Sequence, residues 1–236
     1  MEAKDRIKNS NFGVIWDFDG TIVDTMPVHF SAWQRFMEGY GYTFSEEEFL
    51  ATAGKPSEVI LKKYFNTIPE AELAELGDRK DAMFREESER LGIAIKPGVE
   101  NLLKALHTAG FKQAIGSGTP RKNLELAYSL NPILRNYIEA EVIAGDTANT
   151  KPHPEVFLAA AQKLGLPATN CLVIEDGILG IEAAHRAEMA VIAVTDERDR
   201  TIYEKVGASL IVKSLEEVTV DTIEGLLGIK PVPGGH

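Results

Sequence analysis

The sequence predicts an α/β protein, with a doubly wound parallel sheet as its core and a helical domain inserted into it. Short apolar, β-branched segments alternate with helical patterns along most of the 236 residues. This alternation is typical of parallel strands joined by right-handed crossovers. One long stretch near the start shows helical patterns alone. In such folds ligands bind beyond the carboxyl ends of the strands, so the residues that follow each strand are the candidates for chemistry.

Six buried strands are predicted, each from a short apolar run that ends in polar residues. They are GVIWDFD (13–19), KQAIGS (112–117), AEVIAG (140–145), CLVIED (171–176), AVIAVT (190–195) and SLIV (209–212). Helices are predicted between them over 97–110 and 154–165, because the apolar spacing is helical and each pattern stops at a glycine.

The stretch from about 27 to 95 shows no convincing strand. Ser45 and Glu48 have the spacing of a capping box, and residues 69–91 have the composition of one long helix. The sequence therefore predicts a catalytic core over 1–26 and 96–230, a helical domain over 27–95 and a flexible tail over 231–236. Since the insertion follows the first strand, we expect it to lie over the strand ends.

Composition excludes several classes of protein. A formal net charge of −11 repels polyanions, and no basic segment stands out, so nucleic acid is not expected as a partner. The sequence shows neither a secretory signal nor a run long enough to cross a bilayer, and we expect a cytoplasmic protein with no membrane partner. The single cysteine, Cys171, is expected to pack in an apolar strand.

The first predicted strand ends in Asp17-Phe18-Asp19-Gly20-Thr21. Side chains two apart on a strand share a face, which places Asp17 and Asp19 together, and Gly20 allows a sharp turn. Two neighbouring carboxylates need a cation or a shared proton between them, and an all-oxygen ligand set favours Mg²⁺. The alternative is an ordinary acidic turn after a strand.

The predicted strand 171–176 also ends in acidic residues, Glu175 and Asp176. A second acidic strand end strengthens the metal interpretation, with both residues as further ligands. The alternative is that the pair caps the helix that begins near Gly177 or Ile178, a common role of Asp. The two roles are compatible, and we favour ligation.

Donor groups follow two other predicted strands, where they are needed because carboxylates alone would repel a phosphate. Ser117 offers its hydroxyl, while the backbone amides of Gly118 and Thr119 and the next helix N-terminus suit phosphate oxygens. Lys151 lies in the loop NTKPHPEVF, which two prolines stiffen. Serine and lysine are frequent in loops, so each alone is weak support for a site.

In this chain order the four segments resemble the motifs of the haloacid dehalogenase superfamily, and within it the capped phosphatases and β-phosphoglucomutase-like proteins. The motifs are DFDGT at 17–21, Ser117, Lys151 with the following PHPEVF, and EDGILGIEAAHRA at 175–187. The resemblance spans most of the chain. It implies a Rossmann-like core, a helical cap domain and a Mg²⁺-dependent enzyme that acts on a small phosphorylated metabolite.

The resemblance also implies a role for each residue. Asp17 would attack phosphorus and form an aspartyl-phosphate, while Asp19 would protonate the leaving oxygen and then deprotonate the attacking water. Ser117 and Lys151 would bind the transferring phosphoryl oxygens. The ligands of Mg²⁺ would be Asp17, the main-chain carbonyl of Asp19, Glu175 and Asp176.

Within the superfamily, Asp19 excludes the dehalogenases, which lack this acid, and the cation pumps, which carry threonine there. A phosphatase is favoured, with a phosphosugar mutase as the alternative. Such mutases use a cap arginine to grip the non-reacting phosphate, and Ser57 stands at the matching position of AGKPSE (53–58). Lys55 or Arg121 would have to replace that arginine, which weakens the mutase interpretation.

Thr25, His29, Trp33 and Lys80 also resemble residues of the mutase-like group. His29 is predicted to relay or gate a proton when the cap closes, and its alternative is a histidine packed at the hinge. Lys80 is predicted to reach the substrate, and its alternative is a solvated lysine on a charged helix.

Other activities stay open at this point: an inorganic pyrophosphatase, a phospho-aspartate switch and a catalytically silent binding protein. Receiver domains of such switches are much shorter and have no helical insertion after their first strand. Every matched catalytic position carries a competent residue, which argues against silence. The sequence thus favours an enzyme, either monomeric or weakly homo-oligomeric.

Overall fold

The computed structural model describes residues 9–52, 55, 57–196 and 200–229. Its strands are β1 (Gly13–Trp16), β2 (Val23–Asp24), β3 (Ala94–Ile95), β4 (Lys112–Gly116), β5 (Ala140–Val142), β6 (Cys171–Glu175), β7 (Ala190–Val194) and β8 (Leu210–Val212). Its helices are α1 (Met26–Glu38), α2 (Glu46–Leu50), α3 (Ser57–Tyr64), α4 (Glu70–Leu91), α5 (Val99–Ala109), α6 (Arg121–Leu130), α7 (Glu155–Leu164), α8 (Ile178–Arg186), α9 (Thr201–Lys205) and α10 (Val220–Leu226).

Six strands form a central parallel sheet in the order β5-β4-β1-β6-β7-β8. All six predicted strands are present, and the predicted doubly wound sheet is confirmed. The helices predicted over 97–110 and 154–165 are α5 and α7, and each is followed by a glycine with positive φ. The predicted tail, 231–236, lies outside the described residues.

Helices cover both faces of the sheet, which is why its strands are apolar on both sides. Val14 and Trp16 of β1 pack on one face, while Ile15 between them packs on the other. The strand β1 lies in the middle of the sheet, between β4 and β6. Its carboxyl end therefore opens onto the centre of the sheet edge, where the neighbouring strands also end.

The helices α1 to α4 form a unit with an aromatic core of its own. This core contains Trp33, Phe36, Met37, Phe44, Phe49, Ile60, Leu61, Leu73 and Leu76. The predicted capping box is present, because the Ser45 hydroxyl accepts the amide of Glu48 and the Glu48 carboxylate accepts the amide of Ser45. The predicted long helix is also present as α4. The exact division of the chain into a core and a cap domain stays a prediction.

The prediction of no strand between 27 and 95 is wrong at its end. There β3 pairs with β2 in an antiparallel ribbon, with Val23 opposite Ile95 and Asp24 opposite Ala94. Two residues are too few to produce the alternation from which strands are predicted. The ribbon joins the two connections between the sheet and the helical unit, and the amide of Lys96 extends it by donating to the carbonyl of Ile22.

Across the described ranges, no helix combines the length and the apolar character that a membrane span requires. The longest, α4, has 22 residues and carries charged side chains along its length. It buries one side against α1 and α3 instead.

A buried carboxylate, Glu87, joins α4 to α1. Its side chain is 1% exposed and accepts hydrogen bonds from Ser31 (2.8 Å), Arg90 (2.6 Å) and Arg35. The hydrogen bond from Arg90 is the largest of the effects that lower the pKa of Glu87 to about 2, with those from Ser31 and Arg35 adding to it and burial opposing it. The ionised form is therefore the one that stabilises this helix pair.

Replacing Glu87 with Gln is expected to destabilise the protein by about 2 kcal/mol at pH 7, because a charged acceptor of several hydrogen bonds is lost. The two arginines are about half exposed, so screening by solvent keeps the effect from being larger. The folded-state pKa lies below the ordinary value of 4.5, so the difference from the wild type is full above pH 5 and shrinks as the pH falls towards 2. Urea unfolding at several pH values measures it. Glu89→Gln, on the exposed side of α4, is the control, and an equal loss in that variant would contradict the assignment.

Candidate active site

Three carboxylates meet at the carboxyl edge of the sheet. Asp17 follows β1, Glu175 ends β6 and Asp176 follows it, and β1 and β6 are neighbours. Each residue offers an oxygen, and these oxygens all lie within 4.8 Å of one another. Asp17 and Glu175 are 5% and 3% exposed. The sequence expectation that parallel strands gather these residues at one place therefore matches the geometry.

The ammonium of Lys151 lies against two of the three carboxylates. Its Nζ is 2.6 Å from Asp17 Oδ1 and 2.7 Å from Glu175 Oε2, and it stands 4.8 Å from the centre of the Phe157 ring. Burial lowers the pKa of Lys151, but the charges of Asp17 and Glu175 outweigh it and leave the pKa above its ordinary value. Lys151 is thus a fixed positive charge.

Both oxygens of Glu175 are engaged. While Oε2 binds Lys151, Oε1 accepts the amides of Asp176 (3.2 Å) and Gly177 (2.9 Å). The alternative in which this acidic pair caps the next helix does not apply to Asp176. The helix α8 has Gly177 as its N-cap and no side-chain cap, and Asp176 Oδ1 instead accepts the hydroxyl of Thr21 at 2.8 Å.

Two glycines let the backbone approach the carboxylates. Gly20 has a φ of +88°, and a Cβ on it would lie 2.2 Å from Asp176 Oδ2. A Cβ on Gly180, in the first turn of α8, would lie 1.9 Å from Glu175 Oε2. The sequence predicts a turn at Gly20, but it did not lead us to the roles of Gly180 and Thr21. Both residues lie inside the motifs that carry the resemblance, and their place in those motifs could have identified them.

Crowding and burial raise the pKa of Glu175, Asp176 and Asp19. Burial is the largest cause for Glu175 and Asp176, followed by the charge of Asp17, and both pKa values lie above the ordinary range. Burial and then the charge of Asp17 raise the pKa of Asp19 to about 6, although the hydroxyls of Thr25 and Thr119 and the charge of Lys80 oppose this. The Asp19 carboxyl can therefore exist in either protonation state near neutral pH.

A loop of donors borders the acids on the other side of β1. Ser117 follows β4 and is 3% exposed, and its Oγ accepts the amide of Thr119 at 3.3 Å. Gly118 between them is exposed, with open space where a Cβ would be. The helix α6 begins two residues after Thr119. Of these three residues, Thr119 faces an acid, because its hydroxyl acts on the carboxyl of Asp19, while the roles of Ser117 and Gly118 stay predictions.

The α1 to α4 unit also contributes to this edge. The Lys80 side chain is 4% exposed, and its Nζ lies 3.1 Å from His29 Nδ1 and 3.2 Å from Asp81 Oδ1. His29 stacks on Phe84 with ring centres 4.0 Å apart. Burial, and then the charge of Lys80, lowers the pKa of His29 well below its ordinary value. The alternative of a solvated Lys80 is therefore wrong. The contacts of His29 with Phe84 and Lys80 are those expected from the alternative in which this histidine is packed at the hinge.

Two predicted substrate-binding residues lie elsewhere. The Arg121 guanidinium forms an ion pair with Glu141 of β5, and Lys55 is exposed and donates to the carbonyl of Ala51 at 3.1 Å. Within the described ranges, neither side chain forms a hydrogen bond or an ion pair with the three carboxylates. Thr25, by contrast, is buried, and its hydroxyl faces Asp19 with no hydrogen bond of ordinary length within the described part of the chain.

The donor set of the three carboxylates consists of oxygen atoms alone. Hard divalent cations such as Mg²⁺ prefer such ligands, whereas zinc and the softer metals favour nitrogen and sulfur. The residues present therefore fit the cation that the sequence resemblance implies. No His or Cys joins this cluster among the residues that the structure describes.

Residues 14–194 match the sequence model of the haloacid dehalogenase-like hydrolases. The chain belongs to this family. It is 34% identical over 187 residues to the fructose-1-phosphate phosphatase YqaB of Escherichia coli, a match that covers 77% of this chain and 95% of that protein. It is 31% identical over 211 residues to the hexitol phosphatase A of Escherichia coli, covering 88% and 93% respectively.

Among solved structures, a β-phosphoglucomutase from Clostridium difficile superposes with a TM-score of 0.80 and 25% identity, covering 92% of this chain and 96% of that one. The expected membership of the phosphatase and β-phosphoglucomutase-like group is confirmed. So is the expectation of an enzyme that hydrolyses phosphoric monoesters.

Replacing Gly180 with Ala is expected to displace the Glu175 side chain, since the new Cβ would occupy the place of Oε2. A shift of about 1 Å in a site of this kind costs about 10²-fold in kcat/KM. Gly225→Ala is the matched control, because this glycine is also helical but has open space around it. It is expected to keep full activity and to gain about 0.5–1 kcal/mol of stability. Steady-state kinetics with p-nitrophenyl phosphate and urea unfolding measure both, and full activity in the Gly180 variant would refute the packing argument.

Proposed function

We propose that the chain is a Mg²⁺-dependent phosphatase that hydrolyses a small phosphorylated metabolite through an aspartyl-phosphate intermediate on Asp17. The observation that carries this proposal is the pairing of Lys151 with Asp17 and Glu175 in a buried cluster of carboxylates. Burying charged groups is costly unless they are paired and hydrogen-bonded, and here three clustered acids share one ammonium.

Asp17 is the proposed nucleophile. Its Oδ1 is held by Lys151, which leaves Oδ2 to attack phosphorus. An oxygen–phosphorus bond forms to Asp17 as the bond to the leaving oxygen breaks, and water then attacks the same phosphorus and releases Asp17. Lys151 and the donors of the Ser117–Thr119 loop bind phosphoryl oxygens, whose negative charge the carboxylates would otherwise repel.

Asp19 is the proposed acid and base. With a pKa of about 6, it can give a proton to the leaving oxygen and take one from the attacking water. The hydroxyls of Thr25 and Thr119 face this carboxyl. Closure of the helical unit, which brings Lys80 and His29 towards it, would exclude bulk water from the reaction.

The residues proposed to hold Mg²⁺ are Asp17, the main-chain carbonyl of Asp19, Glu175 and Asp176. Bound there, the cation would offset the charge of the carboxylates and polarise a phosphoryl oxygen. Glu175 contributes mainly by positioning, since both of its oxygens already accept hydrogen bonds.

The proposed substrates are sugar phosphates or sugar-alcohol phosphates, the classes named for the two Escherichia coli relatives. The helical unit is proposed to act as the cap that reads the leaving group. A mutase activity is the second candidate, favoured by the similarity to the Clostridium difficile structure. It is disfavoured because Ser57 stands where such mutases carry an arginine, while Arg121 is paired with Glu141.

We further propose a cytoplasmic protein without nucleic-acid or membrane partners.

The mechanism is tested by Asp17→Asn. We expect kcat to fall by at least about 10³-fold, because the amide is not a nucleophile, while the fold persists as judged by circular dichroism. Wild-type turnover of p-nitrophenyl phosphate should vanish with EDTA and return with Mg²⁺. Near-normal turnover by Asp17→Asn would discard the mechanism.

The substrate class is tested by a screen of fructose 1-phosphate, hexitol phosphates, phosphoglycolate, nucleotides and pyrophosphate. Isomerisation of glucose 1-phosphate is assayed in parallel. Faster isomerisation than phosphate release would favour the mutase.

The cap role is tested by Lys80→Met and Lys55→Met. Both variants keep an apolar stem. We expect the ratio of kcat/KM between different substrates to change much more than the affinity for Mg²⁺. The expected effect is larger for Lys80, which is buried, than for the exposed Lys55. Equal losses on every substrate would show that neither side chain contributes to selectivity.

A further inference from the structure

One side-chain hydrogen bond links the helical unit to the sheet domain through α4 and α6. Arg85 of α4 donates from a guanidinium nitrogen to Asn123 Oδ1 of α6 at 3.0 Å. Asn123 is 3% exposed, and Arg85 is partly buried. The two residues are 38 positions apart and belong to different parts of the fold. It is the only side-chain hydrogen bond between α4 and α6 that the described residues show.

Both ends of this hydrogen bond lie next to groups that act on Asp19. On α4, Arg85 follows Phe84, which stacks on His29, and lies five residues after Lys80. On α6, Asn123 follows the Ser117–Thr119 loop, and the hydroxyl of Thr119 faces Asp19. The contact between Arg85 and Asn123 therefore connects the elements on the two sides of Asp19, beside the packing of Phe84 in the apolar core of the sheet domain.

The contact between Arg85 and Asn123 is a hydrogen bond to a neutral group and not an ion pair. Other arginines, namely Arg35, Arg90, Arg121, Arg135 and Arg186, each form an ion pair with a carboxylate. Arg85 forms none with the residues described here, and its partner is a neutral amide. A hydrogen bond from a charged donor is stronger than one between neutral groups, so it favours the state in which Arg85 contacts Asn123. An unpaired guanidinium is also easily solvated when the contact opens, so the contact is reversible.

We propose that Arg85 and Asn123 form a latch that holds the helical unit closed over the active site and so positions Lys80 and His29 against Asp19. This inference rests on the proposed function, in which the helical unit is a cap. The two residues are positioning residues, since they act through α4 and α6 and touch none of the reacting groups.

The kinetic test uses Arg85→Met and Asn123→Leu, which keep the size of each side chain. Without the latch the closed form is less populated, so kcat/KM is expected to fall about tenfold through a higher KM, while kcat at saturation changes less than about threefold. Arg85→Lys should restore part of the loss. In the double variant the losses should not add, since each single change already breaks the contact. Additive losses, or a loss confined to kcat, would overturn the latch.

A distance measurement tests the latch without substrate. Cysteines placed at Leu50 of α2 and Leu158 of α7, both exposed, carry spin labels, while the native Cys171 is buried and stays unlabelled. Arg85→Met should shift the distance distribution towards longer values. Arg79→Met is the matched control, because Arg79 lies on the same helix and contacts Tyr40 within the helical unit.

The outcomes separate the two proposals. An unchanged distribution in the Arg85 variant, with an active wild type, overturns the latch and leaves the phosphatase proposal intact. A shifted distribution with an inactive wild type keeps the latch and discards the proposed function. An equal shift in the Arg79 variant would mean that any change on α4 opens the unit, and it too overturns the latch.

Discussion

The charge balance around Lys151 is the constraint on which the active site depends. Three carboxylates have oxygens within 4.8 Å of one another, and a single ammonium touches two of them. At this distance two full charges repel by about 3–4 kcal/mol at an effective dielectric constant of 20. Burial adds to the repulsion by removing water. The parallel pairing of β1 with β6 is what holds Asp17 and Asp176 together against it.

The same crowding fixes the direction of each group. Gly20 and Gly180 lack the Cβ atoms that would push the carboxylates of Asp176 and Glu175 away. Thr21 and the amide of Gly177 then bind those carboxylates in single orientations. In the proposed mechanism, a site held in this way would not have to reorganise when a phosphoryl group binds, which is where electrostatic catalysis gains its advantage.

The sheet and the acidic edge could be predicted because they follow from one rule: parallel strands in a doubly wound sheet end on the same side. That rule locates Asp17, Ser117 and Glu175 from the sequence alone, whereas Lys151 lies in the loop beyond β5 and was identified from the motif. The rule does not predict where side chains on helices and loops point, because tertiary packing decides their direction. Hence the pairing of Arg121 with Glu141, the burial of Lys80 beside His29 and the space for Glu175 at Gly180 could not be foreseen. The β2–β3 ribbon was missed because strands of two residues are too short to show the alternation of apolar and polar residues from which strands are predicted.

The contacts of Lys80 decide the protonation of His29. An ammonium has only donors, so the His29 Nδ1 that lies 3.1 Å from Lys80 must accept. The low pKa of His29 agrees, since burial and the neighbouring charge both oppose a second proton on the ring. The remaining proton then resides on Nε2, which makes His29 a neutral donor on its other side. Burial lowers the pKa of Lys80 itself, and the neighbouring charges of Asp81, Asp19 and Glu58 oppose this and so favour its ammonium form.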